Sequence, residues 1–426
     1  MKRLFLWIVM VLLMVALLLG GAGAALYAMT GENRLPDTHP TLGEVALEPN
    51  GSDWSVPVLG QYLTRSFGEP TNLTVQKLGD FGDAAPALVL PDWVSRSELT
   101  LTAPDGTVGV TGDAAGYNSY VYSQNGTYEL QLTLYRDPDT ESPGQSTGWY
   151  SYRANFTVNQ KPRAILSTDS APQGTIVAVW VTGILDGSTP TLATDLGDVW
   201  FRPTQDGYMG YISVTYNAEG GAHTLTLSCG DLVQELTLSV TEMDSATIQT
   251  QPDSSSDAAA AEEYRNAIWP LYTTSEEGKL WQGAFASPHP SSATIPYGAR
   301  LMAEGQSAGR STGLTYGAAE PGSIVSAPQN GVVVFAGTLA MSGGTVVIDH
   351  GCGVKSYLFG MGEVQVQKGQ NVVKGDTVGL ATDAHDLIYE LRIGSKSVDP
   401  SAAIRGSSGL QYQENRYGFL FGKAWL

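Results

Sequence analysis

Cysteine and positive charge are both scarce in this sequence. Only two cysteines, Cys229 and Cys352, stand in 426 residues. They fall in segments read below as different domains, so a disulfide staple is not expected and stability must come from ordinary cores. Lys and Arg number 23 against 42 Asp and Glu, a net charge of -19. That balance argues against nucleic acid as a partner and against an electrostatic grip on anionic polymers. Sustained helical periodicity is missing from the C-terminal third, where no apolar 3.6-residue repeat survives for more than a few positions. What is abundant is glycine, 50 residues, and tyrosine, 20, a composition that suits turn-rich β domains. The length allows about two to four domains.

One long apolar run exists, at the N-terminus. Lys2 and Arg3 precede an uncharged stretch from Leu4 to Met29, long enough to cross a bilayer as a helix. The basic pair in front, against a lone Arg34 behind, places the N-terminus in the cytoplasm. The small residues Ala22-Gly23-Ala24 offer the competing reading, a cleaved signal peptide. The length of the run favours an uncleaved anchor over residues 1–29. The expected location is the cell membrane, single-pass, with the bulk of the chain extracytoplasmic.

Residues 30–50, with Pro36, Pro40 and Pro49, read as an extended tether. From 51 to 159 the pattern is β-rich. Leu99-Thr100-Leu101-Thr102 and the run from Tyr128 to Tyr135 alternate with period two, and Ser151 to Val158 reads as a closing strand. A second unit, 160–242, has strands at sandwich spacing around Thr175–Val181, Met209–Val214, His223–Ser228 and Gln234–Val240. It looks like the Ig-like modules that often precede peptidoglycan-hydrolase domains. His223 there reads as an ordinary strand histidine. Residues 243–262 are low in complexity and read as a linker ending in Ala258-Ala259-Ala260-Ala261. Glu262 to Trp281 reads as a short helix or an extended wrap onto the last domain, anchored by Trp269, Leu271 and Trp281. The aromatic tail, Tyr412, Tyr417, Phe419, Phe421 and Trp425, is expected to pack on the edge of that domain, which spans 263–426.

The stretch from Tyr297 to Pro400 carries the informative motifs. Val332 to Phe335 and Val346 to Ile348 are β-branched or aromatic runs bounded by Gly. Lys368-Gly369 and Lys374-Gly375 sit where tight turns need positive φ. The ordered pieces Ser311-Thr312-Gly313-Leu314-Thr315, Asp349-His350-Gly351-Cys352-Gly353, Val366-Gln367-Lys368-Gly369-Gln370 and Asp386-Leu387-Ile388-Tyr389-Glu390 closely resemble the lysostaphin/LytM family of zinc endopeptidases. The resemblance implies an all-β fold: a C-terminal duplicated-hybrid-motif β-sandwich domain, preceded by two β-rich modules (the second Ig-like) and a transmembrane helix. It also implies a zinc site, from an H-x-x-x-D pair and the second His of an H-x-H, with two further catalytic histidines.

Those positions do not hold such residues. Ser311 and Thr315 occupy the H-x-x-x-D positions, Gly360 is assigned to one catalytic His, and Asp386 and Ile388 fill H-x-H. Hydroxyls and an isoleucine are not zinc ligands, which are imidazole, thiolate or carboxylate. No cofactor and no catalytic residue are therefore expected. A groove lined by Ser311, Thr315, Gly360, Asp386, Ile388 and Tyr389 is the candidate binding site. The resemblance then implies a non-catalytic regulator or scaffold in cell-wall remodelling, during division or sporulation. Its expected partners are a cell-wall hydrolase, another envelope protein or peptidoglycan, with the membrane held through the N-terminal helix. The alternative is an active endopeptidase with a rearranged site, requiring His350, His385, Asp386 and Glu390 to converge.

Overall fold

The computed structural model describes residues 2–59, 62–82, 86–140, 144–204, 207–250, 257–317 and 319–412. Of the aromatic tail, Tyr417, Phe419, Phe421 and Trp425 lie outside the described residues. The chain divides into two compact units, Met1–Lys161 and Pro162–Leu426.

The first unit begins with the helix Lys2–Met29, none of whose residues is buried. Its end is held by the domain that follows. The last carbonyls of any α-helix lack partners within the helix. Here Arg65, on the strand Leu63–Glu69, donates from Nη1 to the carbonyls of Tyr27 (3.1 Å), Ala28 (3.3 Å) and Thr30 (2.6 Å). Its guanidinium also lies 5.4 Å from the centre of the Tyr27 ring, a favourable place for a cation beside a helix C-terminus.

Seven strands form the main sheet of this unit. Its centre is the antiparallel pair Gly126–Arg136 and Thr147–Val158. The period-two reading of both is realised: Tyr128, Leu130, Leu132 and Leu134 are buried, as are Tyr152, Ala154 and Phe156. The tether reading of 30–50 needs correction. Thr41–Leu42 pairs with Val45–Ala46 and with Leu88–Val89, and Leu42 and Leu47 are fully buried. Two leucines among turn residues are too few to show a period, yet they suffice to fix the segment onto the domain.

In the second unit, two four-stranded sheets face each other around Val177, Val179, Val181, Ile212, Leu225, Leu227 and Leu238. The strand Ile176–Thr182 is buried on both faces, which explains its unbroken apolar sequence. Its second face, Ile176, Ala178 and Trp180, joins Met209 and Tyr211 in the core of the C-terminal domain, with Trp281, Phe285 and Tyr297. Trp281 is the central piece: its ring lies 5.5 Å from Tyr211 and its Nε1 donates to the Leu410 carbonyl at 2.9 Å. The sandwich and the C-terminal domain thus share one core.

That domain is built on a nine-stranded sheet whose spine runs Leu314–Tyr316, Leu387–Ile393, Val354–Val364, Gly343–Asp349, Gly331–Leu339. Part of the stretch read as linker is ordered here. Thr247–Gln249 pairs in parallel with Arg300–Ala303, and the helix Ala258–Ile268 starts inside the alanine run, capped by Asp257 accepting from Ala259 N at 2.9 Å. Alanine is the best helix former, so an alanine run after a capping Asp is a helix start as readily as a linker. Cys229 and Cys352 are both buried and are not bonded to each other.

Trp281→Ala is expected to cost about 3–5 kcal/mol, the range for an aromatic removed from a packed core. Chemical denaturation followed by circular dichroism should show the sandwich and the C-terminal domain losing stability together. Loss confined to one of them would refute a shared core.

Candidate functional site

Adjacent strands bring the predicted groove residues into one neighbourhood. Thr315 stands directly across from Ile388, and Ile388 across from Phe359 on its other side. Side chains alternate along a strand, so one face of the sheet carries Tyr357 and Phe359, then Ile388, Glu390 and Arg392. Val347 and Leu339 continue the same apolar cluster.

Two of the predicted lining residues do not belong to this face. Tyr389 is fully buried in the opposite core with Leu387 and Leu391, because a neighbour of Ile388 must point the other way. Gly360 has φ +83, and a Cβ there would lie 2.0 Å from the Asp386 carbonyl oxygen, so no larger side chain fits. Phe359, one residue earlier, is the side chain that reaches the face. The pair Tyr357-x-Phe359, spaced by two, was the signal in the sequence. Ser311 is buried with its Oγ donating to the Gly313 carbonyl at 2.8 Å, Thr315 is buried, and Asp386 is exposed.

The face is covered by the chain itself. The helix Ala258–Ile268 and the turn Trp269–Tyr272 place Tyr264, Ala267, Ile268, Leu271 and Tyr272 against Tyr357, Phe359, Val347 and Ile388. Ring centres of Tyr264 and Phe359 are 6.0 Å apart, and those of Tyr272 and Tyr357 6.1 Å. Arg392 lies 5.2 Å from the Tyr272 ring centre and pairs with Glu390 at 2.7 Å, while Thr312 donates to the other Glu390 oxygen. Beyond the turn, a buried ion pair ties the segment down. Asp349 and Lys355 are 3.4 Å apart and almost wholly excluded from water. Asp349 accepts from Ser275 Oγ (2.9 Å) and Glu276 N (3.0 Å), and Lys355 donates to the Thr274 carbonyl. Burial pushes the Lys355 pKa down, against the opposing pull of Asp349. Breaking such a pair would strand an uncompensated charge, so the covering segment is anchored electrostatically as well as by apolar contact.

The histidines do not gather. His350 is fully buried. Its Nδ1 donates to the Asn330 carbonyl at 2.7 Å, which leaves Nε2 to accept from Ser356 Oγ at 2.7 Å. The Tyr389 hydroxyl lies 3.3 Å from the same Oγ. Burial is the main cause that lowers the His350 pKa to about 4, despite the Asn330 bond. His385 is exposed, next to Asp386. His223, in the sandwich, is held between Asp195 (2.9 Å) and the Glu219 carbonyl (2.8 Å). Among the described residues, no group of three or more His, Cys, Asp or Glu is placed to hold a metal ion. The fold's expected zinc therefore does not fit these residues: a hydroxyl bonded to its own loop, a buried threonine and an isoleucine are the wrong donors.

A family model described as Peptidase family M23 matches residues 309–400, the span that holds this sheet. Residues 309–400 are an M23 peptidase domain. No curated protein matches the chain. Among solved structures, a peptidase M23 from Pseudomonas aeruginosa is 19% identical, with 57% of this chain and 95% of that one covered, at a TM-score of 0.42. The catalytic domain of the prophage-encoded M23 protein EnpA from Enterococcus faecalis is 26% identical, covering 27% and 95%, at 0.23. The SpoIIQ–SpoIIIAH pore-forming complex is 22% identical, covering 24% and 68%, at 0.21.

The buried imidazole gives a pH signature. With a folded pKa of about 4 against about 6.5 when unfolded, the unfolded chain takes up the proton first as pH falls. The stability His350 contributes is complete above about pH 6.5 and is lost on descent towards pH 4, at no more than about 1.4 kcal/mol per pH unit. Denaturant midpoints of wild type and His350→Gln measured from pH 7 to 4 should converge; parallel curves would show that His350 titrates normally.

Proposed function

We propose that this is a membrane-anchored, extracytoplasmic M23-like protein without peptidase activity, acting as a regulator or scaffold in cell-wall remodelling. One observation carries the reading: the sheet face that an M23 peptidase would use for zinc bears Thr315, Phe359 and Ile388, and the chain's own residues 264–272 lie over it. Without a metal there is neither an activated water nor a polarised carbonyl for hydrolysis. A fold can outlive its chemistry and serve as a binding module. Since the face is covered, the partner (a hydrolase, another envelope protein or peptidoglycan) is received on other surfaces.

The anchor reading draws on the N-terminal helix. Its 28 residues are apolar enough to cross a bilayer, and the small residues Ala22-Gly23-Ala24 lie within its continuous course rather than at an extended site. The Arg65 bonds to its final turn favour a helix retained in the folded protein.

Metal analysis and peptidoglycan digestion with the full chain, purified without chelator, test the absence of activity. Zinc far below stoichiometric and no released cross-bridge peptides are expected. Stoichiometric zinc, or release of such peptides, would overturn it. The anchor is tested separately: the protein should stay in the membrane fraction after carbonate washing, with its N-terminal segment intact. A soluble form beginning near Ala25 would refute retention.

A further inference from the structure

The first unit holds a shallow, open cleft of about 450 Å³ between the segment after the N-terminal helix and the loop before the strand Arg96–Thr102, lined by Asp37, His39, Asp92, Trp93 and Arg136 among others. Its walls are built rather than incidental. Trp93 Nε1 donates to the Thr38 carbonyl at 2.8 Å, which fixes the indole and joins the two segments. His39 is held by its Nδ1 contact with the Tyr152 hydroxyl at 3.0 Å and packs edge-on to the Tyr150 ring at 5.3 Å.

Arg136 is the cationic member of the lining. Arg96, Arg153 and Arg392 each sit within 3.2 Å of a carboxylate. Arg136, half-buried, has no carboxylate within ion-pair reach among the described residues. Its protein contacts are long, Nε to the Trp93 carbonyl at 3.4 Å and Nη1 to Ser146 Oγ at 3.3 Å, and the guanidinium lies 5.5 Å from the Trp93 ring centre. Burial lowers its pKa. A half-buried arginine lining a cleft without a carboxylate keeps both Nη2 donors and one on Nη1 for a ligand. The cleft also offers the opposite charge, since the exposed Asp37 and Asp92 line it too.

We propose that this cleft binds a small zwitterion, an α-amino acid or dipeptide, with its carboxylate on Arg136 and its ammonium beside Asp37, Asp92 and the face of Trp93. Bidentate guanidinium–carboxylate pairing gives the orientation, an aromatic face beside carboxylates suits an ammonium, and the volume lies within the range of small-molecule sites. The site is independent of the M23 domain and goes beyond the function proposed above.

Calorimetric titration of the full detergent-solubilised chain with alanyl-alanine, its C-terminal amide and its N-acetyl derivative tests this. The free dipeptide should bind saturably. Amidation should weaken binding by about tenfold or more, as loss of a charge-assisted hydrogen bond does, and N-acetylation should also weaken it. Arg136→Gln should reproduce the effect of amidation. Should that variant fail to fold, Asp92→Asn at the exposed rim keeps the test: it should weaken the free dipeptide and leave the N-acetyl derivative unchanged. No saturable binding of the free dipeptide, binding indifferent to amidation, or equal binding of the N-acetylated form would each overturn the assignment.

Discussion

The M23 domain depends on one constraint: an apolar sheet face cannot be left to water. Tyr357, Phe359, Ile388 and Val347 together make a patch of the kind that soluble surfaces avoid unless something binds there. The helix Ala258–Ile268 and the turn that follows supply the cover. The apolar residues of this face and the helix above them therefore form one solution. Replace Ile388 with an imidazole and the same helix would rest on a polar group lacking a partner; remove the helix and the tyrosines and phenylalanine would face solvent. The Asp349–Lys355 pair beyond the turn fixes the register of this cover, because its own hydrogen bonds reach Thr274, Ser275 and Glu276.

The same economy of surfaces governs the junction with the sandwich. A strand buried on one face alternates; Ile176–Thr182 does not, because it serves two cores at once. Trp180 and Tyr211 face the M23 domain while Val179 and Ile212 face the sandwich interior. The division between these modules, plain in the order of strands, is not a division between cores.

How much of this the sequence disclosed follows from the range of the forces involved. Alternation in Tyr128–Tyr135 and in Ser151–Val158 is a local property, so those strands could be read directly. The order of short strands and glycine turns in 297–400 identified the M23 framework. Gly360 stands one residue from the side chain that reaches the face: a single-residue offset exchanges the two faces of a strand, and only pairing with Ile388 placed Phe359 there. Tyr389 was misplaced for the same reason. The cover was legible only through Leu271, since what it packs on, from Val347 to Ile388, lies about 76 to 117 residues further along the chain; Trp269, read as a second anchor, is exposed. The tether could not be read, because Leu42 and Leu47 are isolated in sequence and meet their partners only in space.

Arg65 has a consequence for reach. A helix of 28 residues is about 42 Å long, against about 30 Å of hydrocarbon. A guanidinium on the first domain closes its final turn, so helix and domain meet without slack. A head on a long, loose stalk samples a wide shell about its stalk; this one is held at a fixed short distance from the end of its helix.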